Sequence, residues 1–315
     1  MLRDLLRGED PQIASVAGVI AHASADILLL QGIDHDHGGH ALALLVDQLA
    51  EVGVDYPYHL SLAPNTGIPT GLDLDGDGRL GRARDAQGYG RFTGQGGMAV
   101  LSRFPFGPVQ DHSAFLWRDL PGTQATGVLA AEALAVQRLA SVAAWDVSVM
   151  TPAGPLRLLA MHATPPVFDG PEDRNGRRNE DELWFWLHQM DGWSPGDAQT
   201  LEPPFVLLGV LNADPVDGEA RRGALTAALS HPLLQDPSPT SEGGAEDGDA
   251  TDTADWAEPD PGNLRASYVL PSVGVGVTGS GVFWPDRDDP DRALLGGADG
   301  NGASRHRLIW VDLVF

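Results

Sequence analysis

The stretch Phe205-Val-Leu-Leu-Gly209-Val-Leu-Asn212-Ala-Asp-Pro215 passes from an apolar run into a polar turn. The run reads as a buried strand, and its end delivers Asn212 and Asp214. Taken alone, Asn-Ala-Asp-Pro is ordinary turn chemistry. Working outward, other apolar runs end in the same manner. Asp26-Ile-Leu-Leu-Leu-Gln31 leads to Gln31 and then Asp34, and Leu156-Arg-Leu-Leu-Ala-Met-His162 stops on a histidine. Ser267-Tyr-Val-Leu270 opens on Ser267, and Arg305-His306 stands just before a last strand, Arg307 to Leu313. Met98 to Ser102 is a further strand. Pro11 to Ala21, behind an Asp10 cap, Ala41 to Val52 and Asp181 to Met190 carry apolar residues at helical spacing. The segments Ile27–Leu30, Ala99–Leu101, Leu156–Ala160, Val206–Leu208 and Leu308–Val311 are the expected core strands. Strands interspersed with helices and long connections predict an α/β layered fold whose loops converge on strand ends.

The 315 residues contain 20 Arg, no Lys and 44 acidic residues, for a net charge of −24. That balance disfavours binding of extended nucleic acid through a basic surface, because such affinity comes from cations neutralising phosphates. It leaves room for a local cationic pocket. The absence of Cys excludes disulfides, thiolate metal sites and cysteine nucleophiles. No apolar run is long enough to span a membrane. Residues 238–260, rich in Asp, Glu, Gly and Thr, are expected to form a flexible acidic loop. No internal repeat or interdomain linker is visible, so 1–315 reads as one domain. Oligomeric state is open.

Taken together, these segments resemble the endonuclease/exonuclease/phosphatase superfamily, the DNase-I-like fold. The residues that carry the resemblance are Asp26-Ile-Leu-Leu-Leu-Gln31-Gly32-Ile-Asp34, Gly97-Met-Ala-Val-Leu-Ser-Arg-Phe-Pro105, Leu159-Ala-Met-His162, Leu208-Gly-Val210-Leu-Asn212-Ala-Asp-Pro215, Ser267-Tyr-Val-Leu270 and Ser304-Arg305-His306-Arg-Leu-Ile-Trp310. They occur in the family's order. Thr164 to Asn175 and Gly281-Val-Phe-Trp-Pro285 resemble one bacterial subfamily. The resemblance implies a four-layer sandwich, two mostly antiparallel β-sheets flanked by helices, with a site at the mouth between the sheets. It also implies hydrolysis of phosphate esters with Mg²⁺ or Mn²⁺, the ion held by carboxylates and polarising the phosphoryl oxygen.

Only part of the family set is kept. His162, Asn212 and His306 stand at retained positions. The acidic positions fall on Gly32, Val210, Ser267 and Arg305. Two of these have no polar side chain, and Arg305 puts a permanent cation where a metal ligand belongs. The expectation is a phosphoesterase ancestry with weak or no activity. Two alternatives stay open. One is an active enzyme that recruits Asp34 or Asp214 as substitute ligands. The other is a metal-free binder of a phosphate-containing ligand, gripped by Arg305, Asn212, His162 and His306.

Family members begin with a central strand, whereas Met1-Leu-Arg-Asp-Leu-Leu-Arg7 resembles the segment that follows it. A first strand upstream is therefore expected. With a signal peptide there the protein would be extracytoplasmic, and otherwise cytoplasmic. Finally, Asp73-Leu-Asp75-Gly-Asp77-Gly78-Arg79-Leu80 matches the first eight positions of a calcium loop, with Arg84 at position twelve and Asp85 beside it. Asp73, Asp75 and Asp77, with Asp85, are the candidate ligands of a structural Ca²⁺. Asp34-His-Asp-His37 reads as a polar loop.

Overall fold

The computed structural model describes residues 1–196, 201–257 and 260–315. Its first elements are helical: α1 (Leu2–Arg7) and α2 (Pro11–Ala23). The Asp10 carboxylate accepts from Gln12 N and Ile13 N, and Pro11 occupies the first turn, so α2 starts where the sequence places it. Strand β1 (Ile27–Ile33), helix α3 (His40–Glu51) and strands β2 (Tyr58–Leu60), β3 (Gly97–Ser102) and β4 (Phe106–Asp111) follow. Then come α4 (Ala131–Val136), β5 (Ala144–Thr151), β6 (Gly154–His162), α5 (Arg174–Met190), β7 (Phe205–Val210), α6 (Gly223–Leu229) and α7 (Glu242–Asp247). Strands β8 (Ser267–Pro271), β9 (Gly276–Phe283) and β10 (Leu308–Val314) end the chain.

Five strands form one sheet in the order β4-β5-β6-β7-β8, antiparallel except for the β6–β7 pair. One face of this sheet, through Leu159, Leu207 and Leu270, packs on Leu183, Trp186 and Leu187 of α5 and on α6. The other face, through Val147, Leu158 and Val206, packs against Ile27 and Leu29 of β1 and Leu313 of β10. The layer containing those strands is two separate ladders, β1-β3-β2 and β10-β9. Helices α1 to α3 cover the outer side of the first ladder, and α2 reaches the second through Val19. The layers therefore run helix, split sheet, sheet, helix. Mixed α/β architecture with two packed multi-strand sheets is what the resemblance implies.

Two expectations are corrected. Ile27–Leu30 and Leu308–Val311 were expected in the core, yet Ile27 to Leu30 are only half-buried and Trp310 is 38% exposed. The reason is a cavity of about 640 Å³ between β1 and β10, which both strands line. Residues 238–260 also depart from a free acidic loop. Ser241 caps α7, Thr253 and Ala254 are fully buried, and Ala254 bridges both Leu264 and His306. Composition misleads there because the stretch is anchored by backbone and hydroxyl hydrogen bonds rather than by apolar side chains: Thr253 Oγ1 accepts from Ala266 N and Ser267 N. Positions 258 and 259 of that expectation lie outside the described residues.

Candidate active site

Three neighbouring strand ends set the site. His162 ends β6 beside Val210 at the end of β7, and Val210 pairs with Ser267 at the start of β8. Ser267 Oγ lies 3.2 Å from His306 Nδ1. Asn212, two residues beyond β7, has φ 51° and donates from Nδ2 to Ala163 O at 2.8 Å. His162, Asn212 and His306 thus come to one end of the five-stranded sheet, although 144 residues separate the two histidines in sequence.

His162 is oriented by Gln31, a residue that the sequence marks only as a polar strand end. The Gln31 amide nitrogen donates to Met161 O at 3.2 Å, so its oxygen faces His162 Nδ1 at 2.9 Å. The proton of neutral His162 therefore sits on Nδ1, and Nε2 is left as an acceptor. Desolvation, aided by the charge of His306, pulls the His162 pKa down to about 4. Burial lowers that of His306 as well. Both shifts favour the uncharged ring.

Trp256 is a second residue that sequence reading passed over. Its ring meets His306 edge-on at 5.5 Å, and the exposed Arg305 guanidinium lies over the ring, 5.8 Å from its centroid. Arg305 Nη1 also donates to Asp255 O at 3.3 Å. Nothing in the local sequence of an acidic stretch signals this tryptophan as a wall of the site.

The resemblance assigns the family's acidic positions to Gly32, Val210, Ser267 and Arg305. Gly32 is exposed, at φ 74°, in a bulge between Gln31 and Ile33. Val210 is 3% exposed, Ser267 faces His306, and Arg305 lies on Trp256. The two candidate substitutes are held by backbone. Asp34 Oδ1 accepts from Gly96 N, and its other oxygen is 3.7 Å from the Met1 amino group. Asp214 accepts from Val216 N and Asp217 N with one oxygen and from Arg265 N with the other. Gln31, His162, Asn212, Ser267 and His306 are uncharged donors and acceptors. This set does not fit the hard divalent ion that the fold family implies, which needs several anionic oxygens around one point.

Among the described residues, three carboxylates converge elsewhere, on Asp73, Asp75 and Asp85. Asp77 is not in that group, and its Oδ1 accepts from Arg79 N at 2.8 Å. The Asp73 carboxylate accepts from Gly76 N and Gly78 N, and the buried Asp85 accepts from Leu74 N and Arg82 N. The 3-10 turn Ala83–Asp85 swings the residue after position twelve into the ligand place. Asp36, in the other His/Asp segment, accepts from His40 N and Ala41 N at the start of α3, which fits a polar loop.

The sequence matches the Endonuclease/Exonuclease/phosphatase family over residues 4–306, and the chain belongs to that family. No curated protein matches it by sequence. Among solved structures, an endonuclease/exonuclease/phosphatase from Beutenbergia cavernae DSM 12333 is similar with a TM-score of 0.58 and 19% identity, over 97% of this chain and 66% of that one. The chain thus spans just under two-thirds of that protein. A mannosyl-6-phosphatase from Bacteroides thetaiotaomicron VPI-5482 is similar with a TM-score of 0.51 and 13% identity, over 99% and 95% of the two chains. D. rerio TDP2 complexed with a single-strand DNA product gives 0.51 and 12%, over 97% and 92%. At these identities the likeness is one of fold.

Proposed function

We propose that this member of the family binds a phosphate-containing ligand at the His162–His306 cleft and hydrolyses it weakly or not at all. One observation carries the reading. Where a divalent ion would need an anionic cage, the cleft offers Gly32, Val210 and Ser267, and the nearby Asp34 and Asp214 already accept backbone hydrogen bonds. Freeing either carboxylate would leave buried or half-buried N–H groups unpaired, at about 1–3 kcal/mol each. Arg305 and His306 can still meet a phosphate ester by charge and hydrogen bonding, while His162 Nε2, an acceptor, can meet only a hydroxyl of the ligand. They cannot lower the pKa of a water by coordination.

The experiment is a phosphodiesterase and phosphomonoesterase assay of the purified chain with Mg²⁺ and Mn²⁺, using bis- and mono-p-nitrophenyl phosphate. The expected result is turnover close to background. Robust metal-dependent turnover, lost on Asp34→Asn or Asp214→Asn, would establish the substitute-ligand enzyme instead. The loop at 73–85 is read as a structural Ca²⁺ site, on the strength of the Asp73–Asp75–Asp85 convergence.

A further inference from the structure

Two buried polar atoms without a protein partner belong to side chains that meet at one small cavity. The Trp186 indole nitrogen and His112 Nε2 are both buried, and neither makes a hydrogen bond among the described residues. Trp186 lies on α5 and is 1% exposed, and His112 is the residue after β4. Their rings meet edge-on, with centroids 5.8 Å apart. Both line a cavity of about 10 Å³, which Glu182 and His162 also line. The rest of its wall is apolar. Helical spacing brings Glu182 and Trp186, four residues apart, to one face of α5. On the opposite side, His112 N donates to Ala144 O at 2.9 Å, which fixes that residue against the start of β5. Buried indole N–H groups are paired with protein or water in nearly all folded proteins.

We propose that this cavity is the site of one water molecule, which accepts from the Trp186 indole N–H and donates to His112 Nε2 and to a Glu182 carboxyl oxygen. The volume suits a single water, and three hydrogen bonds are the usual complement of a buried one. Each partner has the matching chemistry. An indole nitrogen only donates. Burial holds His112 toward its uncharged form, in which Nε2 accepts when the proton is on Nδ1. Glu182 receives Ser141 N on one oxygen and Thr164 N on the other, so each oxygen keeps a lone pair. The water therefore ties α5 and the end of β4 to the backbone around His162. Thr164 stands two residues beyond that histidine, and Ser141 Oγ donates to His162 O at 3.3 Å. It is a fixed point of the wall behind the cleft, whatever the cleft binds.

Water-selective NOE spectra of the ¹⁵N-labelled full chain test this. The Trp186 indole peak is assigned by its loss in Trp186→Phe. Trp145 and Trp284 serve as internal controls, because their indole nitrogens are also buried without a protein partner but do not line this cavity. A direct water cross-peak is expected at the Trp186 indole, at least threefold stronger than at either control. In Ala143→Val, and separately in Ala140→Val, added methyl groups fill the cavity and the cross-peak is expected to vanish. Ring ¹⁵N spectra of the unmodified chain are expected to show neutral His112 protonated on Nδ1. No water cross-peak at Trp186, or one of equal strength at all three indoles, would overturn the inference, and this reading needs no variant beyond the assignment. So would a cross-peak that survives both filling substitutions, or a neutral His112 whose proton sits on Nε2.

Discussion

Ser267 Oγ and His306 Nδ1 are 3.2 Å apart, a neutral hydroxyl against an imidazole whose pKa burial has lowered. A carboxylate at that place would favour the protonated ring and hold its orientation. Ser267 is 8% exposed, so the attraction would be little screened. Ser267→Asp is expected to raise the His306 pKa above that of the unmodified chain, by about one unit or more. NMR titration of the His306 ring protons measures it. An unchanged or lower pKa would mean that the hydroxyl is not the group that sets the ring's surroundings.

His162 makes stability depend on pH. Its folded pKa is about 4, below the usual 6.5. Between these values the unfolded chain binds a proton that the folded chain refuses, so stability falls as pH drops through that window and is fully present above it. The contribution is at most about 3 kcal/mol. Replacing the ring by Gln should flatten the pH dependence of Tm between pH 6.5 and 4, even if it lowers Tm at pH 7.5. Thermal melts of the two proteins across this range decide it, and parallel curves would remove His162 as the cause.

The polar residues at strand ends, and the strands themselves, were legible wherever an apolar run stops on a polar side chain: β1, β3, β6, β7, β8 and β10. Strand β9 was not, because its Gly-rich sequence hides it. A Cβ at Gly281 would lie 2.8 Å from the Trp310 ring, so glycine here makes room for the neighbour rather than marking a turn. Strand β5 was passed over although Trp145, Val147 and Val149 alternate inward; its Asp146 carboxylate pairs with Arg157 on β6. The apolar runs of β1 and β10 were legible as strands but not as edges. No local pattern reveals a feature that depends on two strands nearly 280 residues apart.

Glu182 on α5 ties the helix layer to the site. Its carboxylate accepts from Ser141 N and from Thr164 N, two residues beyond His162. Burial pushes its pKa up to about 7, opposed by Arg178 one turn away. The Arg178 guanidinium in turn donates to the Leu139, Gln87 and Arg138 carbonyls. Glu182→Ala leaves two buried N–H groups unpaired and removes the carboxylate whose charge acts on Arg178, so a loss of about 1–3 kcal/mol for each N–H is expected. Glu182→Leu combined with Arg178→Met should cost less than Glu182→Ala alone. Urea denaturation of the three variants is the measurement. A double variant that is no more stable than the single one would mean that the N–H contacts, not the field of Arg178, dominate.

Asp85 should decide whether the 73–85 loop binds calcium. It is 1% exposed and converges with Asp73 and Asp75, carboxylates that a cation would bring into one coordination shell. A ligand that binds only the folded state raises stability by RT ln(1 + [L]/Kd), about 2.7 kcal/mol at a hundredfold excess over Kd. Tm in 2 mM Ca²⁺ should therefore exceed Tm in EDTA by several degrees. Asp75→Asn, which leaves the Asp85 backbone bonds in place, should shrink that difference. Equal melting points with Ca²⁺ and with chelator would make the loop a hydrogen-bonded acidic turn.

Gly32 sets the limit on rebuilding a metal site. Its φ of 74° lies in the left-handed region, and an ideal Cβ there would meet nothing within 4 Å. Gly32→Glu is thus sterically free but conformationally strained, by about 1–2 kcal/mol. Gly32→Ala should lower Tm as much as Gly32→Glu, since the cost is in the backbone. Val210→Asp meets the opposite constraint. Val210 is 3% exposed, so a carboxylate there is expensive without a partner, and Mg²⁺ should recover part of the lost Tm only when Arg305→Asp and Ser267→Asp supply the remaining anionic oxygens. One electrostatic contact of this kind typically changes a rate by about 10²–10³, and such effects are not additive. The combined Val210→Asp, Ser267→Asp, Arg305→Asp variant is expected to gain Mg²⁺-dependent phosphodiesterase activity of at least tenfold over the unmodified chain. Adding Gly32→Glu should increase it further only at temperatures well below the lowered Tm. Rate and Tm are measured with and without Mg²⁺ on the same preparations. Restored Mg²⁺ binding without any gain in rate would show that the cleft lacks more than its carboxylates.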